Sequence, residues 1–144
     1  MAHFLIAEAR FYTDLLDELA AGAIEALEAA GHTYTRVEVL GALELPAAFL
    51  AGHQGGTHFD GYIALGVVIR GETTHYDIVA GESSRALMDL TLSPGLAIGN
   101  GIQTVENSKQ AWVRANRSEK NKGGGAALAA MAIVDLKQSM GAAS

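Results

Sequence analysis

The residues Tyr62–Ile69, YIALGVVI, form an apolar run with no charge and no polar–apolar alternation. A strand with one face in water alternates, so a strand that does not alternate is covered on both faces. That places the run at the centre of a parallel sheet, whose crossover connections lay helices over both faces. The rest of the chain fits this demand. His3–Ala9 is short and apolar and reads as a buried strand. Thr13–Ala30 sets Leu16, Leu19, Ala20, Ala23, Leu27 and Ala30 at helical spacing, keeps Asp14, Asp17, Glu18 and Glu25 elsewhere, and stops at Gly31. Tyr34–Leu40 alternates as a second strand, and Pro46 suits the start of a short helix. The stretch 52–59, GHQGGTHF, reads as a turn-rich loop. Thr73–Leu92 reads as a helix stopped by Ser93-Pro94-Gly95, and Leu96–Ile98 as a fourth strand with room to run on to Gln103. Two closing helices, Glu106–Ala115 and Gly125–Met140, flank the charged loop NRSEKNKGG. Strand and helix alternate, so the expectation is an α/β domain over residues 1–144, with helices on both faces of a four-stranded parallel sheet.

Composition narrows the function classes. Hydrophobic residues make up 49% of the 144 and charged residues only 18%, which leaves a surface short of charge and implies that a partner subunit covers part of it. A net charge of −6 argues against nucleic acid as the main ligand. Cysteine is absent, which excludes disulfides, thiolate metal sites, iron–sulfur clusters and thiol nucleophiles. The start, MAHFLIAEARF, is not a secretory signal, and the most apolar run, GGGAALAAMAIVDL, falls short of the roughly 20 residues that cross a bilayer. A cytoplasmic location and no membrane partner are the expectations. The run GGGAALAAMAIVDL is read as a subunit-interface helix.

In open α/β sheets ligands bind beyond the carboxyl ends of the strands. Four segments occupy that position: Arg10-Phe11-Tyr12, Gly41–Pro46, Ile69–Asp77 and Gly99–Thr104. In GETTHYD, Gly71 permits a tight turn, and the N–H groups of Gly71–Thr74 at a helix start suit an anion such as phosphate. An ordinary strand-to-helix loop with Thr73 or Thr74 as N-cap accounts for the same residues. His75 falls in the first turn of that helix, where the positive end favours a neutral imidazole able to accept a proton; a half-buried, hydrogen-bonded histidine is the alternative. Glu44, between Leu43 and Leu45, suits either the hydroxyls of a polyol or the start of the helix at Pro46. Arg114 offers a bidentate fork for phosphate and Lys122 a point charge, whereas Arg117, Glu119 and Lys120 read as a solvated loop. No GxSxG elbow, GxxxxGK[ST] loop or complete dinucleotide fingerprint is present, and His53 and His58 lack the further ligands of a metal site.

The segments GALELP, GVVIRGETTHYD and QAWVRANRSEKNKGG, in this order and spacing, resemble those of the lumazine synthase family over essentially the whole chain. The resemblance implies a flavodoxin-like three-layer αβα sandwich. It implies condensation of 5-amino-6-(D-ribitylamino)uracil with 3,4-dihydroxy-2-butanone 4-phosphate to 6,7-dimethyl-8-ribityllumazine, the precursor of riboflavin, without metal or organic cofactor. Sites in the family lie between subunits of a pentamer. By position, Phe11 matches the aromatic that packs on the pyrimidine, Glu44 the carboxylate that binds ribityl hydroxyls, and Val68 and Ile69 positions at the heterocycle. Gly71, Glu72 and Thr73 match the phosphate turn, Arg114 the phosphate arginine, His75 the acid/base, and Lys122 the lysine of the NKG segment. Asn100 falls where the adjacent subunit reaches the ring. The chain departs from the family at Tyr12, where RFN is common, at Asn100, where some members place an aromatic, at Gln103, usually apolar, and at Val113, often an acid.

Two rivals share the sheet. A flavin-binding module needs a Ser/Thr/Gly-rich loop after the first strand, which EARFYTD is not, and a signalling receiver needs acids at the ends of the first and third strands, where Glu8 alone is present and the third ends Val68-Ile69. A shell-forming or catalytically weak relative has no need of His75 and Arg114. The first strand begins at His3, leaving no arm to add to a neighbour's sheet. A closed pentamer is therefore expected, with the sixty-subunit shell as runner-up.

Overall fold

The computed structural model describes residues 1–142. Four strands, β1 (His3–Ala9), β2 (Thr33–Val39), β3 (Gly61–Ile69) and β4 (Ile98–Val105), form one sheet in the order β2-β1-β3-β4. Every pairing is parallel, with Ala9 opposite Val39, Ala7 opposite Ala64 and Ile69 opposite Val105. Helices α1 (Thr13–Ala29), α4 (Ser108–Ala115) and α5 (Lys122–Ser139) cover the face that carries Phe4, Ile6, Ile63 and Leu65. Helices α2 (Leu45–Gln54) and α3 (His75–Leu92) cover the other face, where Leu5, Ala7, Tyr62 and Ala64 point. This is the three-layer α/β arrangement expected, with β3 buried along nearly its whole length at the centre.

Several boundaries differ from the sequence reading, each for a local reason. GHQ (52–54) is helical, because α2 continues until Gly55. Gly52 is needed there: a Cβ would lie 2.6 Å from Leu5 Cδ2. A single 3₁₀ turn, Ala42–Glu44, leads into α2, with Pro46 in its first turn. α3 starts at His75 and not at Thr73, since Thr74 stands at the N-cap and makes no side-chain capping bond. α4 starts at Ser108, capped by Asn107, whose side chain accepts from the Gln110 N–H at 2.9 Å.

β4 runs on to Val105, past Gly99 and Gly101. Those glycines serve packing: a Cβ on Gly99 would fall 1.9 Å from the Ala126 carbonyl oxygen of α5. The same closeness corrects the reading of GGGAALAAMAIVDL. Its buried residues, Gly123, Gly124, Ala126, Ala127, Ala130, Met131 and Val134, pack within this chain against α1 and the sheet. Its apolar character is explained by the chain's own core, and an interface is not needed to account for it.

Candidate active site

The chain turns from β1 to β2 on one side of the sheet and crosses to β3 on the other, so the connections after β1 and β3 diverge and leave a crevice at the carboxyl ends. A cavity of about 430 Å³ fills that crevice. Phe11 and Tyr12 line it from the β1–α1 connection, Gly41, Ala42, Leu43 and Glu44 from the 3₁₀ turn, and Val67, Val68 and Ile69 from the end of β3. His75 and Val79 of α3 close it. The cavity is therefore bounded by an exposed aromatic face, an apolar strand end, a carboxylate from the 3₁₀ turn and an imidazole from α3.

Phe11 is 76% exposed, an unusual state for a phenylalanine, and touches Tyr12 edge-on at 4.9 Å between ring centres. Its flat face is free to stack on a planar ligand. Glu44 is exposed, so the expected cost of burying its carboxylate does not arise. Although it occupies the N-cap of α2, it makes no capping bond. Of the two roles its sequence position allowed, capping is absent and the cavity wall is where it lies. His75 is exposed as the first residue of α3, and its N–H donates to Thr73 Oγ1 at 3.3 Å.

Gly71, Glu72 and Thr73 lie in the exposed bend 71–74 that joins β3 to α3, between the lining residues Ile69 and His75. Arg70 holds this bend. Its guanidinium lies 4.2 Å over the Tyr76 ring and pairs with Glu106 at 2.8 Å, while its N–H donates to the Val105 carbonyl.

Six sequence-expected residues are not among those that line the cavity of this chain: Gly71, Glu72 and Thr73 of this bend, and three on α4, α5 and β4. Arg114, on α4 across the sheet, donates to the Gln110 carbonyl of its own helix at 3.0 Å. Lys122 is exposed at the start of α5. Asn100 lies on β4, and its amide donates to Ser84 Oγ of α3 at 3.3 Å.

Residue-level reading of the sequence placed Tyr12 in a segment at the ligand end without giving it a role, and passed over Val67, Val79 and a charged cluster at the root of the Phe11 connection. There Glu8, 1% exposed, receives Arg10 and both Nε and Nη2 of Arg36, at 2.6, 2.7 and 2.9 Å. The ion-paired hydrogen bond to Glu8 holds the Arg36 guanidinium above its ordinary value. For Arg10, burial acts against the charge, but hydrogen bonds to Asp17 and Glu8 outweigh it, and the net direction is also upward. The available signal was Glu8 itself, a lone charge in an apolar strand that needed buried partners.

A second cavity, about 420 Å³, lies at the opposite end of the strands among His53, His58, Asp60, Tyr62, Pro94 and Lys137. None of the residues expected from the sequence lines it.

The model of the 6,7-dimethyl-8-ribityllumazine synthase family matches residues 1–138. The chain is 58% identical to 6,7-dimethyl-8-ribityllumazine synthase 1 of Rhizobium meliloti, covering 97% of this chain and 94% of that protein. It is 58% identical to the 6,7-dimethyl-8-ribityllumazine synthase of Agrobacterium fabrum (96% and 97% covered) and 56% identical to that of Sphingopyxis alaskensis (98% and 99%). The chain belongs to the 6,7-dimethyl-8-ribityllumazine synthase family.

Proposed function

We propose that the crevice between the β1 and β3 connections is the condensation site, with Phe11 stacked on the pyrimidine, Glu44 on the ribityl hydroxyls and His75 moving protons. The chain is a transferase of riboflavin biosynthesis. It joins 5-amino-6-(D-ribitylamino)uracil to 3,4-dihydroxy-2-butanone 4-phosphate and forms 6,7-dimethyl-8-ribityllumazine. The observation that carries the site assignment is the meeting of Phe11, Glu44, Val68, Ile69 and His75 from four separate segments around one cavity. The uracil amine adds to the butanone carbonyl, water and phosphate leave, and the second ring closes with loss of a second water. Bringing the two partners together supplies much of the acceleration. His75 carries protons at the carbonyl and amine, and the N–H groups of Gly71, Glu72 and Thr73 face the phosphate.

The same reading makes the site shared. Arg114, Lys122 and Asn100 lie outside this chain's cavity, which suits their delivery by an adjacent subunit. The face that would meet that subunit is α3. Only Ser83 and Leu87 of its 18 residues are buried, and Ile78, Gly81, Arg85, Met88 and Leu92 form an exposed row at alternating three- and four-residue spacing. Ile78, Met88 and Leu92 make this row partly apolar, which suits packing against a helix of a second subunit. We infer a closed cyclic pentamer acting in the cytoplasm on its two small-molecule substrates.

Mixing the pure protein with both substrates tests the activity: lumazine fluorescence is expected, and its absence overturns the reading. His75→Ala is expected to slow single turnovers roughly tenfold, below the usual range for acid–base groups because approximation remains. An unchanged rate removes His75 from the chemistry.

A further inference from the structure

The Phe11 ring is almost free of contacts, so its position rests on the backbone that carries it. That backbone is short: Ala9 ends β1 and Thr13 begins α1. Tyr12, at the N-cap of α1, makes no side-chain capping bond that would fix the turn. Tyr12 leans on the core cluster, and the polar tie across the step is Arg10, whose side chain is 16% exposed. On the strand side its Nη1 donates to Glu8 Oε1 at 2.6 Å, and its Nε lies 3.7 Å from Glu38 of β2. On the helix side its Nη2 donates to the Thr13 carbonyl at 3.3 Å and to Asp17. Its own N–H continues the β1–β2 ladder, donating to the Val39 carbonyl at 3.3 Å. One planar guanidinium thus spans both ends of the Phe11-Tyr12 step, and Arg36 holds its buried anchor Glu8 from the other side.

We propose that Arg10 is a positioning residue for the ribityl-uracil substrate, fixing the β1–α1 connection so that the exposed Phe11 ring is already in place to stack on the pyrimidine. This rests on the assignment of Phe11 to the ring-binding wall. Arg10 is not among the residues that line the cavity. Its removal lets Phe11 sample other positions, and the ligand then has to order the connection on binding. The loss falls on KM for the ribityl-uracil, while kcat and the KM for the butanone phosphate hold. A salt bridge with only a structural role lowers the unfolding temperature without separating the two substrates.

The test is equilibrium binding of the ribityl-uracil and steady-state kinetics for both substrates on the assembled protein, comparing Phe11→Ala, Arg10→Met, Asp17→Asn and the double variant Arg10→Met/Phe11→Ala. Phe11→Ala is expected to weaken the ribityl-uracil roughly ten- to hundredfold, the scale of base–aromatic stacking. Arg10→Met is expected to weaken it about five- to tenfold, with the butanone phosphate changed less than about twofold. Asp17→Asn, which removes only the negative charge of the exposed helix-side partner and keeps an acceptor oxygen, goes the same way by about two- to threefold. With Phe11 already alanine, Arg10→Met adds less than about twofold, because the group it acts through is gone. If Phe11→Ala binds normally, the ring-wall assignment falls and the proposal with it. If Phe11→Ala binds weakly but Arg10→Met does not, the positioning role alone falls. It falls too if both substrates weaken equally, or if the Arg10 effect persists in full without the Phe11 ring. Should Arg10→Met not fold, Asp17→Asn in the same cycle with Phe11→Ala decides by the same criteria.

Discussion

Helices α3 and α5 are each 18 residues long and lie on opposite faces of the same sheet, yet they are packed in opposite ways. α5 buries seven residues, mostly glycine and alanine, so that its backbone presses onto α1 and β4. α3 buries Ser83 and Leu87 and leaves Ile78, Met88 and Leu92 at 54%, 57% and 77% exposure. α5 is thus anchored inside the chain by its small residues even though Leu128 and Leu136 on its outer side are 60% and 59% exposed, whereas α3 is held by two residues and turns most of its surface outward. Apolar content alone does not identify an interface. Small residues allow close approach inside one chain, and larger ones left uncovered indicate a surface waiting for a partner.

The largest effect expected from this contrast is at Gly123. A Cβ there would lie 2.0 Å from the Leu19 carbonyl oxygen, and both groups belong to backbone. Gly123→Ala is expected to cost more than about 3 kcal/mol or to abolish folding, because the helices have to separate. Gly125, two residues on, has nothing within 4 Å of the same added atom. Gly125→Ala is expected to be neutral or to stabilise by about 0.5–1 kcal/mol. Denaturant melts of the two variants decide the matter, and equal behaviour would mean that α5 does not depend on its close crossing with α1.

On α3 the expected effect is on assembly, with folding preserved. If the proposed sharing of sites through α3 holds, Ile78→Glu combined with Met88→Glu is expected to give folded single chains by light scattering, with activity down by roughly a hundredfold. A variant that stays pentameric would place the interface elsewhere. Subunit mixing sharpens the point. His75→Ala and Arg114→Ala proteins, each weak alone, are expected to recover activity when refolded together, reaching about a quarter of the sites in a random ring where each site draws on two neighbours. Mixtures no better than their components would place both residues in one subunit's site, or one of them in none.

Much of this was legible in the chain itself. The unbroken apolar run Tyr62–Ile69 set the sheet type, and the residues after the first three strands located the crevice, whereas Gly99–Thr104, expected beyond the fourth strand, lies within β4 and lines no part of it. Three things were not legible. The burial of α5 depends on glycine contacts with residues far away in sequence, such as Gly123 on Leu19, which periodicity does not encode. GHQ reads as a breaker until Leu5 and Phe59 are seen packing on Gly52. Arg10 stands beside Phe11 in sequence, but its grip on Glu8, Thr13 and Asp17 arises only when β1 and α1 fold onto each other.

The smallest expected effect contrasts the ion pairs of the two regions. On the α5 side, Glu18 of α1 accepts from both the backbone N–H of Arg117, at 2.8 Å, and its Nε, at 3.0 Å, tying α1 to the connection that leads into α5. The Arg117 side-chain hydrogen bond, joined by that of its N–H, holds the Glu18 carboxyl below its ordinary value of 4.5. A carboxyl lowered in the folded state stabilises the fold fully above the unfolded value, and that contribution fades as pH drops through the folded value. The advantage of the parent over Glu18→Gln in thermal unfolding is therefore expected to be greatest near neutral pH and to shrink below about 4.5. On α3, Glu82 is also lowered, by its side-chain bond to Arg85 three residues on, but the pair is exposed and lies within one helix. It links no two elements and salt screens it, so Glu82→Gln is expected to change unfolding less than Glu18→Gln at every pH. Added salt should erase the Glu82 effect first, because the Glu18 side chain, 22% exposed, is the better shielded of the two. The reverse order of salt sensitivity would mean that the Glu18–Arg117 tie is no firmer than the pairs on the open helix.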